Sequence, residues 1–93
     1  MIIYHFTIPA TDTADARGFY FVSKRDAVTA CEIEAARMVM GDKGLSGHVV
    51  EIMRSSLADF PRKELLMRLL NQRGFLRDTV VIGQVQAPTM ESE

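Results

Sequence analysis

The side chains best suited to acid–base chemistry are two histidines, His5 and His48, and two tyrosines, Tyr4 and Tyr20. Histidine commonly acts as a general acid or base because its ordinary pKa lies close to neutrality. If the strands that contain the two histidines are neighbours, the residues could form a pH-sensitive pair or, with a tyrosine, the centre of a small enzyme. The alternative is that both are polar side chains on the open face of a sheet.

No metal site and no cofactor are expected. Neither histidine has a second histidine, a cysteine or a carboxylate at the spacing of metal ligands. The single cysteine, Cys31, cannot form an internal disulfide, and we interpret it as a small buried side chain. A glycine-rich segment, with Gly41, Gly44 and Gly47, leads out of a predicted helix into a strand. Phosphate-binding loops lead from a strand into a helix, so we interpret this segment as a turn.

Basic residues are concentrated in the segment 54–77, which has a charge balance of +4 after Asp59 and Glu64 are counted. Because the whole chain has a net charge of −1, the remainder is near −5. One interpretation is a solvated helix face whose arginines lie along apolar surface. The other is a site for nucleic acid or an acidic ligand. Its contacts would come from Arg54, Arg62, Lys63, Arg68, Arg73 and Arg77.

The first predicted helix, from about Lys24 to Met40, is apolar on two sides. Its second stripe, Ile33, Ala36 and Met40, lies away from the predicted core face, and a helix that covers a sheet needs only one apolar stripe. We expect this second stripe to contact either the second helix, another protein or a second copy of the chain. The stripe predicted to face the core consists of Ala27, Val28, Cys31, Ala35, Met38 and Val39.

The elements that position these residues follow from periodicity and stop signals. Alternating or β-branched runs predict strands over 2–8, 19–22, 48–54 and 79–86. Ser23 and Asp26 match a capping box at the start of the first helix. Asp59 and Pro61 predict the start of a second helix, which ends near Arg73 before Gly74.

This ββαβαβ order predicts a small α+β domain with a four-stranded mixed sheet and two helices packed on one face. The mixed sheet is expected because a strand–helix–strand connection favours parallel pairing with a right-handed crossover. The chain has 93 residues, of which 47% are hydrophobic and 25% charged. We therefore expect a single domain over 1–86 and a flexible acidic tail over 87–93.

The lone cysteine, the lack of a basic and apolar leader and the lack of a long apolar run predict a cytoplasmic protein without a membrane segment. Because no catalytic constellation is recognised, we expect a non-enzymatic protein-binding domain that masks the surface of a partner, with a homodimer as an option. Size alone suggests comparison with phage or mobile-element inhibitors of host machinery, such as anti-CRISPR proteins. Binding of an anionic partner and a small histidine-dependent enzyme are the alternatives.

Overall fold

The structure, a computed structural model, describes residues 1–57, 63, 64, 67 and 76–89. Two strands come first, β1 (Ile2–Ile8) and β2 (Arg17–Phe21). The helix α1 (Lys24–Gly41) follows, and a short 3-10 turn (Lys43–Leu45) leads to the last two strands. These strands are β3 (Val49–Leu57) and β4 (Leu76–Gln86).

The ends of α1 are set by local hydrogen bonds. The Ser23 hydroxyl accepts a hydrogen bond from the Asp26 amide at 3.4 Å, which confirms the predicted cap. At the other end, the Asp42 amide donates to the Met38 carbonyl, and the Asp42 carboxylate accepts from the Gly44 amide at 2.9 Å. Asp42 therefore closes the helix and begins the turn that redirects the chain into β3.

The four strands form one sheet in the order β2-β1-β3-β4, and every neighbouring pair is antiparallel. The prediction of a small α+β domain with four strands is confirmed, whereas the prediction of a mixed sheet is wrong. The strands on either side of α1, β2 and β3, do run in the same direction, because each is antiparallel to β1. However, β1 lies between them, so the crossover produces no parallel ladder.

The core lies between α1 and one face of the sheet, and α1 contacts all four strands. Phe6 stacks on Phe19 and Phe21, with ring centroids 5.0 and 6.0 Å apart. The predicted core stripe of α1 is confirmed, except that Val28 is only partly buried. The buried hydrophobic residues in the described part of the chain are Phe6, Ile8, Val50, Ile52 and Ala87 from the sheet side, and Ala27, Cys31, Ala35, Met38 and Val39 from the helix.

The predicted second helix lies outside the described residues, apart from Lys63, Glu64 and Met67, which are helical and exposed. The second helix and the ββαβαβ order therefore stay predictions.

At the C-terminus, Ala87 is buried and its amide donates to the His48 carbonyl at 2.8 Å. Residues 90–93 of the predicted tail lie outside the described residues. No helix in the described part of the chain is long and apolar enough to cross a membrane.

Candidate functional site

A buried polar network lies on the sheet face opposite α1. His5 Nε2 is 2.7 Å from Ser55 Oγ, and Ser55 Oγ is 2.7 Å from Thr79 Oγ1. His5 is 7% exposed and Ser55 is 1% exposed, whereas Thr79 lies at the surface. The network therefore extends from the exposed residue Thr79 on β4, through Ser55 on β3, to the buried imidazole of His5 on β1.

The strand register explains why these residues meet. Ile3 is opposite Ser55 in the β1–β3 ladder, so Ser55 is the diagonal neighbour of His5 on the same face. In the β1–β2 ladder, His5 is opposite Tyr20, and the two rings stack with centroids 5.7 Å apart. The network thus depends on pairing between strands that are distant in sequence, which no local motif indicates.

The protonation state of His5 follows from its burial. Removal from water disfavours the charged imidazolium and lowers the pKa of His5 below its ordinary value of 6.5. A neutral imidazole has one donor and one acceptor nitrogen. With the proton on Nδ1, the Ser55 hydroxyl donates to His5 Nε2 and the Thr79 hydroxyl donates to Ser55 Oγ. In this arrangement His5 Nε2 accepts a hydrogen bond, and each of the two hydroxyl protons is donated in one.

A serine hydroxyl at hydrogen-bond distance from a histidine nitrogen is also the geometry of a nucleophile and its general base. Ser55, however, is buried, and a substrate must reach Oγ for attack. A cavity of about 150 Å³ lies between the β1–β2 loop and α1, and no histidine is among its lining residues. The hypothesis of a small histidine-dependent enzyme, using Tyr4 or Tyr20, therefore gains no support from this cavity.

The two histidines do not form a pair. His48 is exposed and directly precedes β3, whereas His5 is opposite Met53. This register separates the two residues by about 16 Å along the strand direction, at 3.3 Å per residue. The described part of the chain contains no group of three side chains that could hold a metal ion.

Cys31 is buried in the core, as its interpretation predicted. Burial, with a smaller contribution from the charge of Glu32, raises the pKa of the Cys31 thiol to about 11. Because the thiolate is the reactive form of cysteine, Cys31 is poorly suited to nucleophilic chemistry.

The second apolar side of α1, Ile33, Ala36 and Met40, is hereafter the outer stripe. Ile33 is 49% exposed, Met40 is 78% exposed, and Ala36 is partly buried. Thr29 extends the same line, so that the spacing alternates between four and three residues, as in the contact seam between paired helices. The predicted contact with a second helix involves residues outside those described.

An ion-pair cluster lies beside α1. Glu34 accepts a hydrogen bond from Arg37 Nη1 at 3.0 Å, and its second oxygen is 3.7 Å from Arg17 Nη2. Both arginines are largely exposed, so the pairs contribute little to stability. They do connect the start of β2 to the middle of α1.

The structure brings together two of the predicted basic contacts. Arg54 on β3 and Arg77 on β4 lie at the same end of the sheet, because Arg54 is two residues from Ser56 and Ser56 is opposite Arg77. Both side chains are exposed, as is Lys63. The other three, Arg62, Arg68 and Arg73, lie outside the described residues, so the anionic-partner site stays a prediction.

Comparisons with protein-family models, curated proteins and solved structures find no match to this chain. The chain's own surfaces are therefore the basis for its proposed function.

Proposed function

We propose that this chain is a non-enzymatic domain that binds a protein partner through the outer stripe of α1 and thereby masks the partner's surface. The observation that supports this proposal is the exposure of Ile33 and Met40 on the side of α1 that faces away from the core. The core stripe on the other side already attaches α1 to the sheet. The packing of α1 on the sheet therefore does not require the outer stripe.

The side chains of the outer stripe suit close contact with another apolar surface. Burial of a large apolar side chain contributes about 1.5–3 kcal/mol. Ile33 and Met40 are the two large members, and the small Ala36 between them allows a partner's backbone to approach closely. Met40 has an unbranched thioether side chain, which adapts to irregular surfaces.

The charges beside the outer stripe indicate the kind of partner. At 100° per residue, Arg25 and Glu32 lie along one edge of the stripe, and Asp26 and Arg37 lie along the other. Each edge therefore has one positive and one negative charge. A partner with an apolar helix or groove and a rim of mixed charge fits this surface, and its affinity should depend only weakly on salt. Binding to nucleic acid through 54–77 would instead weaken steeply as salt rises.

Affinity purification from the native host tests this proposal. Ile33→Asp and Met40→Asp should each lose a protein that co-purifies with the wild-type chain, because a carboxylate would be buried in the contact. Val22→Asp is the matched control, since Val22 is 73% exposed and precedes the N-terminus of α1. The control should retain the partner. The proposal is wrong if the same proteins co-purify with all four chains, or if none co-purifies with any of them.

A further inference from the structure

We propose that the outer edge of β4 pairs with β4 of a second copy of this chain, antiparallel, so that one sheet continues across a two-fold axis. β4 is the last strand in the order β2-β1-β3-β4, and β3 is its only strand partner within the described residues. The backbone groups on its far side are therefore a template for another strand.

The composition of β4 favours such pairing. It has 11 residues and contains neither proline nor lysine, two residue types that protect edge strands. Its two charges, Arg77 and Asp78, lie at its start, and the stretch from Thr79 to Gln86 is uncharged. The opposite edge strand, β2, is short, with five residues, and begins with Arg17. Short, charged edge strands are typical of protected edges.

Self-pairing centred on Val81 is compatible with the charges and places apolar side chains at the centre. Val81, the sixth of eleven residues, then lies opposite its own equivalent. Arg77 and Asp78 of one copy then lie towards the uncharged end of β4 in the other copy. No like charges face each other. β-branched pairs across strands are favourable contacts.

Irregularities in the β3–β4 ladder flank the centre of β4, and we place the contact between copies at this centre. Val80 and Val81 are opposite Arg54 and Met53 in the β3–β4 ladder, and the two irregularities of that ladder lie on either side of these pairs. Val81 is 51% exposed, so its side chain is available to a second copy.

The two-fold axis of an antiparallel strand pair is perpendicular to the sheet. The helices α1 of both copies would therefore lie on the same face of the joined sheet. Two outer stripes on one face would let a dimer bind a partner with two equivalent sites more tightly than a single copy does. The pairing itself does not depend on the function proposed for the outer stripe.

Sedimentation equilibrium over a concentration series tests the proposal with the full chain. The wild type should show a monomer–dimer equilibrium. Val81→Lys should weaken the dimer at least tenfold, because it places two ammonium groups across the axis. Val49→Lys is the matched control, since Val49 is 45% exposed on the same sheet face but lies on the central strand β3. The control should dimerise like the wild type.

Val81→Cys gives a second measurement that does not depend on an unfavourable substitution. Under mild oxidation it should form a disulfide between copies, whereas Val49→Cys should not. Cys31 does not compete, because it is buried and its pKa is raised. A wild type that stays monomeric would overturn the proposal. So would a dimer that Val81→Lys leaves intact and Met40→Asp abolishes, since the copies would then meet at the outer stripe.

Discussion

His5 Nε2 and Ser55 Oγ lie 2.7 Å apart on neighbouring strands, although 50 positions separate the two residues in sequence. Both are buried, and Ser55 also contacts the Thr79 hydroxyl. A buried imidazole that is held by a hydroxyl network is most stable in its neutral form. The folded state is therefore linked to the protonation state of His5.

Stability should decrease at acidic pH. The pKa of His5 is lowered in the folded chain, so the unfolded chain takes up a proton at this residue first. The contribution of His5 to the free energy of unfolding should be fully present above pH 6.5 and should decrease as the pH falls from 6.5 towards the folded-state pKa. Urea unfolding at a series of pH values measures this dependence.

Two variants identify the group responsible for this pH dependence. His5→Gln should flatten the dependence of stability on pH around 6.5, because the titrating group is removed. His48→Gln should keep the His5 contribution, since His48 lies outside the network. An unchanged pH profile in His5→Gln would show that His5 is not the linked group.

Ser55→Ala should destabilise the fold by about 1–3 kcal/mol, because it removes the hydroxyl partner of buried His5 Nε2. Ser56→Ala changes the neighbouring residue on the other face of β3 and should cost less. Chemical denaturation of both variants gives the comparison. Equal losses in the two variants would mean that the His5–Ser55 contact does not stabilise the fold.

Much of α1 is predictable from the sequence because its signals are local. Ser23 and Asp26 indicate the cap, and the spacing of the alanines and of Cys31 indicates the buried face. Local signals do not predict the direction of sheet pairing, because strand order depends on which strands bury their faces together. No local signal shows that β1 lies between β2 and β3.

The candidate site was only partly predictable, for the same reason. The alternation of β1 places His5 and Phe6 on opposite faces, and the residue type of His5 indicates a side chain able to do acid–base chemistry. Its partner Ser55 gave no signal, because the contact depends on the register of β1 against β3. The outer stripe was recognisable because Ile33, Ala36 and Met40 lie within one helix.

Loss of the N-terminal cap should weaken α1. Ser23→Ala removes the acceptor of the Asp26 amide and should lower stability by about 1 kcal/mol. Thr29→Ala is the control on the same helix, since Thr29 is exposed. Thermal unfolding followed by circular dichroism should show a lower midpoint for Ser23→Ala than for Thr29→Ala. The reverse order would contradict the role of Ser23.

Cys31 should resist thiol reagents in the folded chain. Its pKa is raised to about 11 by burial, so both access and thiolate formation are limited. At pH 8, the thiol should react with Ellman's reagent only as fast as the chain opens, and immediately in denaturant. Fast labelling of the folded chain would contradict the burial of Cys31.

Site-specific photo-crosslinking in the native host tests most directly whether the outer stripe binds a protein. A photoreactive residue at position 40 should form an adduct with a partner, and one at position 22 should not. Excess wild-type chain should compete for that adduct, whereas the Ile33→Asp variant should not. Equal adducts at both positions, or equal competition by the wild type and Ile33→Asp, would contradict binding through the outer stripe.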